Sequence, residues 1–132
     1  MTVGRGWWMV CIAGSLAASS QYRQNPGPEW LDRNGNYWRQ MKPDVRLAYV
    51  EGFLAGAAVG QAAHRARDTA ALRAELDVLR RSGGLRFPFG ANVYESRVND
   101  YYWWKDHLPL PTWYAFLEVN GTLGRQLSDT VP

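Results

Sequence analysis

The longest apolar run in the chain lies between Val45 and Ala63, interrupted by Arg46, Glu51 and Gln61. This pattern predicts a helix from Pro43 to about Arg67. Pro43 suits the first helical position, where its missing N–H costs nothing. Asp44 follows in the first turn, where a negative charge meets the positive end of the helix dipole. Lys42 is a poor N-cap, so Pro43 and Asp44 carry the signal. Gly52, Gly56 and Gly60 recur every four residues and share one narrow face. Each costs about 1 kcal/mol relative to alanine, so the three cost roughly 3 kcal/mol. The expected compensation is close packing of another helix or a bulky ring against that face. Polar interruptions leave the run shorter than the ~20 apolar residues that a membrane span needs.

The pattern changes on either side. Asn25-Pro26-Gly27-Pro28 predicts an extended arm, with Trp30 expected to dock it on the body, and Asn34-Gly35 is a turn signal. Asn36 can cap a short helical turn that holds Tyr37, Trp38 and Met41. Asp68 or Thr69 opens a second segment over residues 70–81. There Leu72, Leu76 and Leu79 form a stripe opposite Arg73, Glu75, Asp77 and Arg80. Gly83 and Gly84 end it. Phe87, Pro88 and Phe89 read as a plug over a core edge. Asn92 with Glu95 resembles a capping box, opening a helix through Tyr94, Val98, Tyr101 and Tyr102 to about Lys105. Leu108-Pro109-Leu110-Pro111 is a rigid connection. Thr112 then caps a last helix with Trp113, Phe116, Leu117, Asn120 and Leu123 on one face. No stretch alternates with period two. The expected fold is all-α, a small bundle of about four helices with an N-terminal arm.

Residues 1–20 read as a signal peptide. Arg5 is the positive start, Trp7 to Ala18 the apolar core and Ala18-Ser19-Ser20 a small-residue cleavage site; an uncleaved anchor is the alternative. The expected organisation is thus 1–20 leader, 21–35 extended arm and 36–132 helical domain. It places the protein in the periplasm or outside the cell, with no stable membrane span after cleavage. Cys11, the single cysteine, falls in the leader and excludes a disulfide framework.

The net charge is +3, and acids are interspersed among thirteen arginines and two lysines. Without a block of like charge, nucleic acid is not an expected partner. Two histidines and no accompanying cysteine make a metal site unexpected, and His64 and His107 read as surface residues. No nucleophile motif or phosphate-binding loop is present, so no cofactor is expected. Glu51 is the most informative acid. If buried in the long helix it needs an arginine, Arg97 or Arg39, because an unpaired buried carboxylate is costly. Glu51–Arg97 is the candidate buried ion pair; catalysis by Glu51 with Asp100 is the sharper alternative.

Aromatics make up 14% of the chain, with seven tryptophans. Tyr101-Tyr102-Trp103-Trp104 is the densest cluster. Four successive helical residues point in four directions, so they cannot all be core. Val98 and Tyr94 mark the inward side, which favours Tyr101 and Tyr102 as core and turns Trp103 outward. Tyr102, Trp103, Trp104 and Trp113 are the candidate binding residues, since exposed aromatics favour interfaces and sugar platforms.

Trp38, Arg46, Tyr49, Val50, Gly52 and Gly56, followed by Tyr101, Tyr102, Leu108, Pro109 and Ala115, carry a resemblance. Over roughly residues 35–125 the chain resembles small secreted bacterial helical proteins of unknown function with a Lys-x-x-Tyr-Val-x-Gly-x-x-x-Gly helix, Arg46 standing in place of the lysine. It is distantly similar to immunity proteins of the Rap1a/Tai kind, which neutralise secreted toxins. The resemblance implies secretion, an α-bundle and no catalytic residue. The expectation is a non-enzymatic exported interaction protein whose partner is a protein. The alternative is a cell-wall carbohydrate-binding module or hydrolase.

Overall fold

The computed structural model describes residues 29–128. The leader, and the part of the arm that precedes residue 29, lie outside the described residues. Five helices follow one another: α1 (Gly35–Gln40), α2 (Pro43–Ala63), α3 (Thr69–Ser82), α4 (Ala91–Tyr101) and α5 (Thr112–Ser128). Short 3-10 turns sit at Glu29–Leu31 and Lys105–His107. The fold is a small all-α bundle. Its one extended pairing among the described residues is the isolated bridge between Asn34 and Pro111.

Local chemistry explains most boundaries. Lys42 gives no side-chain cap, and α2 starts on Pro43 and Asp44. Asp68 caps α3 by accepting from the Ala71 N–H at 2.8 Å. Gly83 ends α3 at φ 68°, a left-handed conformation that glycine adopts without strain. Three caps differ from expectation. Asn34, not Asn36, caps α1, accepting from the Asn36 and Tyr37 amides. Gly90 precedes α4 without a side-chain cap, so Asn92 and Glu95 form no capping box. The Thr112 hydroxyl donates instead to the Arg33 carbonyl at 2.8 Å.

That last bond fixes the arm. The Arg33 carbonyl accepts from both the Thr112 N–H and its hydroxyl, and the Gly35 N–H donates to the Leu108 carbonyl at 3.0 Å. Trp30 plays no such part, being 61% exposed. Gly35 is the glycine that close packing requires. A Cβ there would lie 2.7 Å from Tyr102 Cε1 and 2.9 Å from Leu108 Cα. The α2 glycines are the reverse of what was expected. A Cβ at Gly52, Gly56 or Gly60 would meet nothing within 4 Å among the described residues. The face is open, and the residues that α2 buries are Val50 and Ala62 instead.

The core is aromatic. Phe116 stacks on Phe53 at 4.1 Å and is flanked by Trp38, Tyr49 and Tyr94 at 6.3–6.5 Å. Trp38, Tyr94, Tyr102 and Phe116 are fully buried. Burying each such ring contributes about 1.5–3 kcal/mol. α2 packs closely on α3 and α4, and α4 on α5. α2 and α5 meet through rings, Phe53 and Tyr49 against Phe116. The two helices run in the same sense. Tyr49 lies by Thr112 and Phe53 by Phe116, while Gln61 and Asn120 share the Arg86 main chain.

Candidate functional site

The aromatic run does not continue one helix. α4 ends at Tyr101, and the chain turns through Tyr102 (φ −82°, ψ 4°). The Trp103 N–H then bonds back to the Asp100 carbonyl. Helix directions therefore govern Tyr101 and Tyr102, while a turn presents Trp103 and Trp104. Tyr102 is wholly buried, and its hydroxyl donates to the Leu110 carbonyl at 2.9 Å. Burial pushes that hydroxyl up to about 12, against the weaker pull of the Thr112 hydroxyl. Tyr102 is thus a core residue and not a binding residue. Trp103 is 75% exposed and Trp104 65%. The Trp103 carbonyl accepts from Arg39 Nη2 at 3.3 Å, which ties this turn to α1.

Beside Trp104 a cleft of about 270 Å³ opens between the end of α4, the Lys105–His107 turn and α5. Val119 and Leu123 form its floor; Arg97, Asp100 and Glu118 bring charge to it. Tyr101 stacks on His107 at 4.1 Å with the planes 20° apart. His107 Nδ1 lies 2.8 Å from the Tyr101 carbonyl, so that nitrogen carries a hydrogen and donates. His107 is therefore a partly buried, oriented ring rather than a surface residue. Burial raises the Tyr101 hydroxyl, and the Tyr114 hydroxyl and Glu118 carboxylate raise it further. Glu118 also raises Tyr114, by its charge and a hydrogen bond. The α4–α5 edge is thus aromatic with an acidic flank.

The expected ion pair does not form. Glu51 is exposed, and Arg97 pairs weakly with Asp100 at 3.9 Å. A helix turns 100° per residue, which sets Glu51 beyond the buried Val50. Arg46 holds the partly buried position instead. It approaches Glu95 at 3.6 Å with the two side chains 17% and 25% exposed, and it donates to the Met41 carbonyl and to Asn99. The interruption of the apolar run by Arg46 was the available signal. Glu51 and Asp100 are not brought together at any shared site, so the catalytic alternative built on them has no geometry.

Trp113 is separated from the other candidates. It is 42% exposed on the opposite flank of α5 and lines a groove of about 650 Å³ against α2. Leu117, Phe53, Phe87 and Gly60 line it too, with His64, Arg65 and Arg86 at one end. Among the described residues, no group of three or more histidine, cysteine or acidic residues could hold a metal ion, and no helix is long and apolar enough to cross a membrane. Comparison with family models, curated proteins and solved structures finds no match.

Proposed function

We propose that the protein is an exported, non-enzymatic interaction protein. Its partner is a protein, and its docking face is the Trp103–Trp104 turn with the adjoining cleft. The observation that carries this reading is the pair of adjacent tryptophans held largely in water on a turn that Arg39 and Tyr102 brace. Aromatic side chains of this kind bury about 150–250 Å² each and dominate interface energetics. Tryptophan is also enriched among residues whose truncation costs an interface about 2 kcal/mol or more. Export follows from the leader pattern and from the resemblance to small secreted bacterial proteins.

The test is photo-crosslinking in the native cell envelope, with a benzophenone side chain in place of Trp103. A protein adduct of one defined mass, lost when Trp104→Ala is added, supports the reading. Absence of any protein adduct would remove it. A second reading is a carbohydrate-binding module or hydrolase. Asp100 and Glu118 beside Trp104 in one cleft favour it, since sugars take stacking and hydrogen bonds together. Co-sedimentation with purified peptidoglycan, abolished by Trp104→Ala, would decide for that reading.

A further inference from the structure

The groove between α2 and α5 has a chemistry that the aromatic turn does not share. Its volume of about 650 Å³ falls within the range of about 300–1,000 Å³ typical of ligand sites. It exists because rings, not close backbones, join α2 to α5. Along α2 the lining runs from Phe53 to His64, eleven residues or roughly 16 Å. Trp113 and Leu117 stand on the α5 side. Because the two helices run in the same sense, the apolar residues Phe53, Trp113 and Leu117 gather at one end.

The other end is basic. Arg65 and Arg86 line it beside His64, and no acidic residue lines the groove. Arg65 already meets Glu75 at 3.1 Å. The Arg86 main chain is fixed at both sides, its N–H donating to Gln61 and its carbonyl accepting from Asn120. Its exposed side chain has no acidic partner within ion-pair distance among the described residues. Arg86 thus offers an exposed cation, on an anchored main chain, at one end of an apolar trough.

We propose that this groove binds a monomeric anionic amphiphile, a long-chain carboxylate. Its apolar chain lies along Phe53, Trp113 and Leu117, and its carboxylate meets Arg86, beside the Arg65 already paired with Glu75. The distribution of charge selects this occupant over an acidic amphipathic helix. A docked helix presents charge along its length, whereas the cations here are confined to one end. The negative end of the α2 dipole lies nearby and opposes an anion. The Arg86 guanidinium, which has no acidic partner among the described residues, outweighs its half charge.

Calorimetric titration of the full chain with laurate, below its micelle concentration, tests the proposal. The expected result is saturable 1:1 binding. It weakens at least tenfold in Arg86→Gln and in Leu117→Asp, and dodecyltrimethylammonium binds at least tenfold more weakly than laurate. Both substituted positions are exposed, and thermal melts confirm that each variant is folded. Should Leu117→Asp fail to fold, Arg86→Gln and the cationic amphiphile still decide. Trp104→Ala leaves laurate binding unchanged, so failure here is distinct from failure of the aromatic face. Absence of saturable binding overturns the proposal. So does equal affinity for the two amphiphiles, indifference to Arg86→Gln, or association only with anionic phospholipid vesicles.

Discussion

The two flanks of α5 differ by one residue in sequence and by everything else in chemistry. Trp113 and Leu117 face α2; Tyr114 and Glu118, each one step on, face the α4 side. A helix turns 100° per residue, so such pairs diverge round the axis. On the α4 side the backbones pack closely and leave a cleft of about 270 Å³. On the α2 side the stacked Phe53 and Phe116 rings separate the helices, and the groove is about 650 Å³. Charge divides along the same line. Asp100 and Glu118, with Arg97, border the cleft, whereas Arg65 and Arg86 border a groove that no acidic residue lines. Side-chain size at a helix–helix contact therefore sets cavity size, and the flanking surface sets its polarity.

Removing the shared spacer breaks both flanks at once. Phe116 is fully buried and touches Trp38, Tyr49, Phe53 and Tyr94. Phe116→Ala is expected to cost about 3–5 kcal/mol, as other buried Phe truncations do. Denaturant melts read this directly. A loss below about 1 kcal/mol would mean that α2 and α5 are held together by something other than this ring.

Alkaline pH separates the flanks through two tyrosines. Tyr94 donates to Asn120 at 2.6 Å, and Asn120 donates to the Arg86 carbonyl, so Tyr94 supports the groove. Tyr102 supports the aromatic turn through Leu110. Burial pushes both hydroxyls up to about 12 from 10.0. The folded chain therefore keeps a proton that the unfolded chain releases. Stability is fully present below pH 10 and falls as pH rises through 12. Melts across pH 9–12 should show that loss, and Tyr94→Phe should flatten its share of it. A melting temperature independent of pH in that window would contradict the burial of both hydroxyls.

Gly35→Ala disturbs the cleft side alone. The added methyl meets the Tyr102 ring and the Leu108 backbone, and the backbone cannot rotate away. Overpacking of this kind typically costs about 1–3 kcal/mol. Chemical-shift changes should be confined to α1, residues 101–110 and the start of α5. Shifts centred on Arg86 and His64 would show that the flanks are mechanically one unit.

How much of this was legible in the sequence differs between the flanks. The all-α bundle, the start of α2 and the glycine stop of α3 follow from periodicity and local caps, which depend on near neighbours. The burial of Tyr102 also follows from the Tyr94–Val98 stripe; Trp103 is exposed as that stripe led one to expect, but a turn and not a helix direction presents it. The Arg46–Glu95 pair and the separation of Trp113 from Trp104 do not. Each depends on which helix lies across from which. The groove was not legible at all, because Arg65 and Arg86 lie twenty-one positions apart and only tertiary contacts, the Gln61 hydrogen bond and the Phe53–Phe87 ring pair among them, join their segments.

The smallest effect tests the open side of α2, where glycines spaced every four residues share a face that nothing among the described residues packs against. Periodicity says that Gly52, Gly56 and Gly60 share a side; it cannot say whether anything lies against it. Here nothing within 4 Å does. The glycine cost is therefore not offset by packing within the described chain, and a methyl group would relieve it. Gly56→Ala is expected to raise stability by about 0.5–1 kcal/mol, from helix propensity and a less flexible unfolded chain. Gly56→Leu should likewise fold, with a melting temperature close to that of the parent. Gly60→Ala should show a similar gain, although Gly60 also borders the groove. A loss of 1 kcal/mol or more in Gly56→Ala, read by denaturant melts at a concentration too low for association, would place a neighbour against α2 after all.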